Sequence, residues 1–142
     1  MSELLESCTY KDCKIFVPQI TQGKIIKCYD GDTVTIATVY NGELVRFSIR
    51  MLGYDTAEMR SKNPVEKACA KAAQQDISSK IMNKMVKVEK NEGYDKYGRL
   101  LLELSIDGES INDYMKNKWG VSYRGGHKNE VDWSIYPLTV DL

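Results

Sequence analysis

Apolar and polar residues alternate along Gly23–Tyr29, Asp32–Tyr40 and Glu43–Leu52, the period of two that marks half-buried strands. In the third run Val45, Phe47, Ile49 and Met51 fall on one face, and Arg46, Ser48 and Arg50 on the other. Asp30-Gly31 and Asn41-Gly42 separate these runs and read as hairpin turns, with Gly31 expected at positive φ because glycine reaches it without steric cost. The period then changes. Cys69, Ala73, Ile77 and Ile81 recur every four residues and predict a helix with one buried stripe. Asn63 stands where a cap is needed, Pro64 suits the first helical position, and Glu66 completes a capping-box-like pattern. Strand alternation returns at Met85–Lys90 and at Leu100–Asp107, with Leu100, Leu102, Leu104 and Ile106 on one face. The intervening "NEGYDKYGR" reads as a polar loop. Ser110 caps a second helix with Asp113 at its third position, and Gly120 stops it.

Three antiparallel strands, a helix, two more strands and a second helix predict an α+β fold. Five strands with a helix between the third and fourth suggest an OB-type β-barrel, a closed architecture that often binds nucleic acid. A chain of 142 residues suits one domain. The expected division is an N-terminal extension (1–22), the domain (23–128) and a tail of weak periodicity (129–142) packed on or near it. No apolar run is long enough to span a bilayer, and no membrane partner is expected. The N-terminus lacks a basic stretch followed by an apolar one, so an intracellular location is expected, with a virus-encoded protein as one source. Cys8, Cys13, Cys28 and Cys69 have no zinc-like spacing, which favours free thiols over a disulfide framework.

Charge changes the picture only locally. Twenty basic and 20 acidic residues cancel, so bulk electrostatics gives no reason to expect nucleic acid. Residues 60–99 nevertheless carry ten Lys/Arg against five Asp/Glu, either a solvated helix face or one rim of an anion site.

Three polar clusters stand outside the core pattern: Asp30-Gly31-Asp32-Thr33; Arg50 followed by "GYDTAE" with Asp55, Thr56 and Glu58; and "DKYGR" ending in Arg99. Each alone reads as a turn, a surface strand residue or a loop. Together they form a set of reagents. Carboxylates plus a backbone carbonyl make a hard oxygen site for Ca²⁺ or Mg²⁺. Two arginines supply planar forks that match phosphate oxygens. A further carboxylate can orient or deprotonate water. Phosphodiester hydrolysis needs such a combination. Arg50 and Arg99 each lie on or beside a strand, opposite its apolar stripe.

"DGDTV", Arg50 with "RMLGYDTAE", and "DKYGR", in that order, resemble the staphylococcal-nuclease-like (thermonuclease) family from about Gly23 to Lys128, and "GVSYRGGHK" is similar to many members. The resemblance implies a five-stranded OB-fold barrel with two or three helices. It implies an endonuclease acting on DNA, RNA or both with Ca²⁺ (Mg²⁺ or Mn²⁺ as alternatives), leaving 5′-hydroxyl and 3′-phosphate ends. Asp32 and Asp55 would be metal ligands, with the Thr56 carbonyl beside them and Asp30 as a supporting carboxylate. Glu58 would act on the attacking water, and Arg50 and Arg99 would hold the scissile phosphate. Tyr97 would be part of the nucleotide pocket. By their own chemistry Tyr94, Tyr97 and Tyr123 could stack on bases, as the aromatic platforms of single-strand binders do, so a single-stranded partner and a monomeric protein are expected.

The sequence departs from that pattern in three places. Ala57 stands where the family usually has proline, so the loop bearing Glu58 loses a fixed φ. The family's C-terminal helix has no clear counterpart in 129–142. The strongly basic charge of its secreted members is missing, which lowers the expected non-specific affinity. The rival reading is a non-catalytic module on the same barrel that binds nucleic acid or peptide; a third is a viral or host-interaction protein with vestigial activity. Tyr94 reads equally as a base platform or a barrel residue, His127 as a loop residue, and Trp119 and Trp133 as packing residues.

Overall fold

The computed structural model describes residues 2–121 and 131–138. In chain order it forms α1 (Ser2–Ser7), β1 (Gln22–Asp30), β2 (Thr33–Tyr40), β3 (Glu43–Met51), α2 (Pro64–Ile81), β4 (Met85–Tyr94), β5 (Leu100–Ile106), β6 (Glu109–Ser110) and α3 (Ile111–Trp119). The strands run β3-β2-β1-β4-β5, and the ring closes because β3 also pairs with β5, in parallel, at Ile49–Leu100, Arg50–Leu101 and Met51–Leu102. Closure removes the exposed edges that an open sheet of this size would carry. This is the five-stranded barrel that the strand pattern predicted.

Alternation decides what fills it. Ile25, Val34, Ile36, Ile49, Leu100, Leu102 and Leu104 all point inward and are fully buried, each contributing roughly 1.5–3 kcal/mol through burial. The helix stripe closes the core: Cys69, Ala70, Ala73, Ile77 and Ile81 are buried on α2. Asn63 Oδ1 accepts from the Val65 and Glu66 amides at 2.9 and 3.4 Å, as expected of a cap. All four cysteines are free thiols.

Several local expectations need correction. At the Asn41-Gly42 turn both residues have positive φ (51° and 80°), as a tight hairpin requires. Gly31 does not. Its glycine is needed for space, since a Cβ there would lie 3.0 Å from Ala73 Cβ and 3.1 Å from Thr56 Cγ2. The β1–β2 turn is thus pressed between α2 and the loop after β3. Strand β4 runs on to Tyr94, well past the expected end at Lys90, because a register shift between Asn91 and Tyr94 lets the "NEGY" segment keep pairing with β5. The connection shrinks to Asp95–Arg99. Glu66 does not bond back to the Asn63 amide, which is taken by Ser61 Oγ at 3.1 Å. Its carboxylate serves the loop before the helix.

The N-terminal segment docks by its end: Ile20 is buried in the core and the Pro18 carbonyl accepts from Asn91 Nδ2 at 2.9 Å, while α1 buries nothing. A single 3-10 turn, Trp133–Ile135, stands in the described part of the C-terminal segment, and Trp133 and Tyr136 pack against the core.

Helices α2 and α3 are tied by Asp76. Its carboxylate accepts from Trp119 Nε1 at 2.7 Å, from Tyr114 Oη at 3.0 Å and from Lys118 Nζ at 3.1 Å. Burial pushes its pKa up, but the hydrogen bonds from Trp119, Lys118 and Tyr114 outweigh it and hold the pKa below the ordinary 3.8. A depressed carboxylate pKa stabilises the fold fully above the unfolded value, and that contribution is lost as pH falls through the folded one. Asp76→Asn should therefore cost about 1–3 kcal/mol in urea unfolding at neutral pH. The gap to wild type should close as pH drops below the ordinary value. A gap that stays constant into acid would remove the ionised Asp76 from the account.

Candidate active site

The acidic cluster is assembled on the outer face of the barrel by register. Asp30 pairs with Thr33, and Thr33 pairs with Arg50, so residues far apart in sequence form one row across β1, β2 and β3. Outward residues of neighbouring strands in one row are side-chain neighbours. The Gly31-Asp32 turn caps this row, and the loop after β3 folds back over it. Tyr54 makes that return possible. Its ring is buried and its hydroxyl donates to the Gly31 carbonyl at 2.7 Å. Burial first, and the Asp32 charge next, push its pKa well above the ordinary 10.0, with Arg50 opposing; it therefore remains a protonated donor.

Among the described residues Asp32 is the only charged residue that is buried. One oxygen accepts from Thr33 Oγ1 at 3.0 Å, and the other from the Thr56 amide at 3.0 Å. Arg50 completes the enclosure. Its Nη1 lies 3.2 Å from Asp32 Oδ2 and donates to the Tyr54 carbonyl at 3.0 Å, while Nη2 grips Asp55 Oδ1. One guanidinium therefore joins the two carboxylates expected to share a cation. Asp55 is also fixed through its backbone, which exchanges two hydrogen bonds with Val121 at 3.2 and 2.8 Å.

Asp30 and Glu58 border this pair. Burial, then the Asp32 charge, raise the Asp30 pKa above 3.8; a hydrogen bond from the Met59 amide lowers it, Glu58 raises it and Arg50 lowers it. The carboxylates are thus close enough to feel one another. Glu58 itself is exposed, and its loop is held from behind: Glu66 accepts from the Glu58 amide at 3.1 Å and from Ser61 Oγ at 2.7 Å. The Ser61 amide in turn donates to the Glu58 carbonyl at 3.1 Å. These contacts fasten the loop in which Ala57 replaces the stiffer proline, and Ala57 itself is buried.

Arg99 precedes Leu100, the residue paired with Ile49, so it stands on the outer face of β5 beside the Arg50 strand. Its Nε donates to Asp95 Oδ2 at 2.8 Å, and among the described residues Asp95 is the side chain's only bonded partner. Partial burial works against ionisation of Asp95, but hydrogen bonds from the Arg99 and Tyr97 amides and the Arg99 guanidinium hold its pKa below 3.8. Anchored by Nε, the fork is aimed, and among the described residues its two Nη groups have no partner. Tyr97 is largely exposed, with the Arg99 guanidinium 5.3 Å from its ring centre. Tyr94 is about half exposed on its strand, and Tyr123 and His127 lie outside the described residues.

The structure therefore brings Asp30, Asp32, Arg50, Asp55, Thr56 and Glu58 into one cluster, and places Arg99 with Tyr97 on the adjoining strand. Three supporting residues went unrecognised in the sequence: Tyr54, Glu66 and Asp95. Tyr54 and Asp95 sit inside the quoted clusters, and an aromatic in a polar loop, or an acid four residues before an arginine, is the signal that marks them. Among the described residues no three Asp, Glu, His or Cys side chains converge as a ready metal cage. The donor chemistry still suits a hard cation, because Asp32 and Asp55 already meet on one positive group with the Thr56 backbone alongside.

Barrel and cluster together define an OB-fold protein with an acidic, arginine-bridged site on its outer surface. The model of the family described as "Staphylococcal nuclease homologue" matches residues 48–123, more than half of the chain, and the chain belongs to that family. The match contains Arg50, Asp55, Thr56, Glu58, Tyr97 and Arg99, while Asp30 and Asp32 precede it. Endonuclease YncB of Bacillus subtilis (strain 168) is 30% identical over 93 residues, which is 61% of this chain and 40% of that protein. The chain thus matches less than half the length of this curated relative.

Tyr54→Phe preserves the packed ring but strips the Gly31 carbonyl of its donor. The expected loss is about 1–3 kcal/mol in denaturant unfolding. A change within the few tenths typical of surface substitutions would show that other contacts hold the turn.

Proposed function

We propose that this chain is a metal-dependent endonuclease that hydrolyses phosphodiester bonds in DNA, RNA or both. Ca²⁺ is the proposed ion, and 5′-hydroxyl and 3′-phosphate ends the proposed products. The observation that carries this reading is the Arg50 guanidinium held between Asp32 and Asp55 in a row that continues to Asp30. Family membership and the endonuclease name of the relative support it.

Asp32, Asp55 and the Thr56 carbonyl would hold the ion, whose loose geometric demands suit ligands drawn from a turn and a loop. Bound there, it would supply Lewis-acid polarisation of a phosphoryl oxygen. The remaining work falls to the chain's own side chains. Arg99, aimed by Asp95, offers its fork to the phosphate, and Arg50, which here bridges Asp32 and Asp55, would turn to the phosphate once the ion takes its place between them; both would offset the charge that builds in the transition state. Glu58, exposed on a loop fixed by Glu66, orients and deprotonates the attacking water. Tyr97, exposed beside Arg99, offers a face to an unstacked base, which favours single-stranded substrate.

Two outcomes test the proposal. Ca²⁺ should raise the melting temperature of the wild type and do little for Asp32→Asn, because the ion relieves repulsion between neighbouring carboxylates. An equal rise in both proteins would take Asp32 out of the site. Glu58→Gln keeps the shape of the loop, whose anchor is the Glu58 backbone, and removes the base. It should cut kcat by roughly 10²–10⁴-fold while leaving the affinity for a short oligonucleotide within a small factor. If wild type and Glu58→Gln bind alike and neither cleaves with any divalent ion, the chain is a binding module.

A further inference from the structure

Beyond the acidic row, the outer face of the barrel changes character. Strand β1 carries two register shifts, one between Ile25 and Lys27 and one between Cys28 and Asp30. A bulge sets two residues of one strand against one of its partner. Cys28 and Ile25 still face the core, and Lys27 and Tyr29 are left outside, both exposed. The outward positions therefore line up in rows that continue from the site. The Asp30–Thr33–Arg50 row is followed by Lys27–Thr35–Ser48, and then by Lys24–Ala37–Arg46. Past these, Val39 and Leu44 form an exposed apolar pair at the hairpin end.

Three features of this strip point to one occupant. The two rows next to the site each carry a cation, and none of the outward residues from Lys24 to Lys27, from Thr35 to Val39 or from Leu44 to Ser48 is acidic. In a chain of zero net charge that segregation is a local field. Lys24, Lys27 and Arg46 are exposed, and among the described residues none of them forms an ion pair. The middle of the strip consists of small side chains, two of them hydroxylated (Thr35, Ala37, Ser48), so a chain can lie close against the sheet. Tyr29 stands between the acidic row and the first basic one, half exposed, with Lys27 Nζ 4.1 Å from its ring centre. Successive rows are ~6.8 Å apart, two residues of an antiparallel strand. That spacing offers one cation-bearing row per nucleotide of an extended strand.

We propose that the outer face of β1–β2–β3 is a track for the single strand of a polynucleotide, continuous with the acidic site and reaching about two nucleotides beyond it. Lys27 meets the phosphate nearest the site, Lys24 and Arg46 together hold the next, and Tyr29 stacks on the base between. The track gives the enzyme its preference for chain length. The inference rests on the nuclease reading for its direction from the site, yet it is tested by binding alone.

The test compares a dinucleotide with an eight-residue single strand, as DNA and as RNA, and with a duplex of the same length. Affinities come from fluorescence anisotropy in a Glu58→Gln background. The octanucleotide should bind more tightly than the dinucleotide. Lys24→Ala/Arg46→Ala should weaken only the octanucleotide, on the order of tenfold at low salt, and should lower its salt slope by about 0.7, the value for the one phosphate they hold. Lys24→Arg/Arg46→Lys, which keeps both charges, should restore it. Equal affinity of the double alanine variant and its parent for the octanucleotide overturns the track, as does an equal loss on both lengths. Tighter binding of duplex than of single strand on the Lys24/Arg46 contacts overturns the single-strand assignment. Should the wild type cleave nothing while the length dependence still vanishes in the double alanine variant, the nuclease reading falls and the track stands.

Discussion

One guanidinium holds this site together. Arg50 reaches from β3 to the Asp32 carboxylate on the β1–β2 turn and to Asp55 on the following loop, and it also donates to the Tyr54 carbonyl at 3.0 Å. Five fixed donors on a planar group make such multiple service feasible, and a lysine offers only a point charge. The side chains of Arg50 and Asp32 are 12% and 11% exposed, so water does little to screen them. Removing one partner from an ion pair this enclosed costs about 3–5 kcal/mol, chiefly by stranding the other charges. Turn, strand end and loop are therefore coupled: the elements that bring the carboxylates together are also held by them.

The positions of those elements follow from packing. Gly31 lets the turn lie against Ala73, and Tyr54 bolts it from beneath through the Gly31 carbonyl. Glu66 extends the same logic to Glu58. As the first-turn acid of α2 it carries the helix N-terminus into the loop, where it fixes the Glu58 backbone and leaves the Glu58 side chain exposed. A rigid frame with an unencumbered carboxylate on it is what the water-activating role proposed for Glu58 needs.

Much of this was legible in the sequence. Period-two runs located β1, β2, β3 and β5, the four-residue stripe located α2, and Asn63 and Ser110 capped their helices as their chemistry demands. Parity alone placed Arg50 opposite the apolar stripe of β3. What escaped was non-local or depended on space. The bulges of β1 and the extension of β4 to Tyr94 are decided by pairing with neighbouring strands, which a single strand's pattern does not encode. Gly31 was misread because its constraint comes from Ala73 and Thr56, far along the chain. Glu66 looked like half of a capping box, and only the folded loop shows that the Glu58 amide and Ser61 hydroxyl compete for it.

The proposed catalysis rests on carboxylates that would take a hard cation in company with two arginines, and its most direct test is chemical. Purified protein is incubated with a 5′-labelled single-stranded DNA or RNA, in Ca²⁺ or in EDTA, and the products are resolved with their ends identified. The account predicts internal cleavage in Ca²⁺, none in EDTA, and products that carry a 3′-phosphate. Cleavage undiminished by EDTA, or intact strands in Ca²⁺, Mg²⁺ and Mn²⁺ alike, would contradict it.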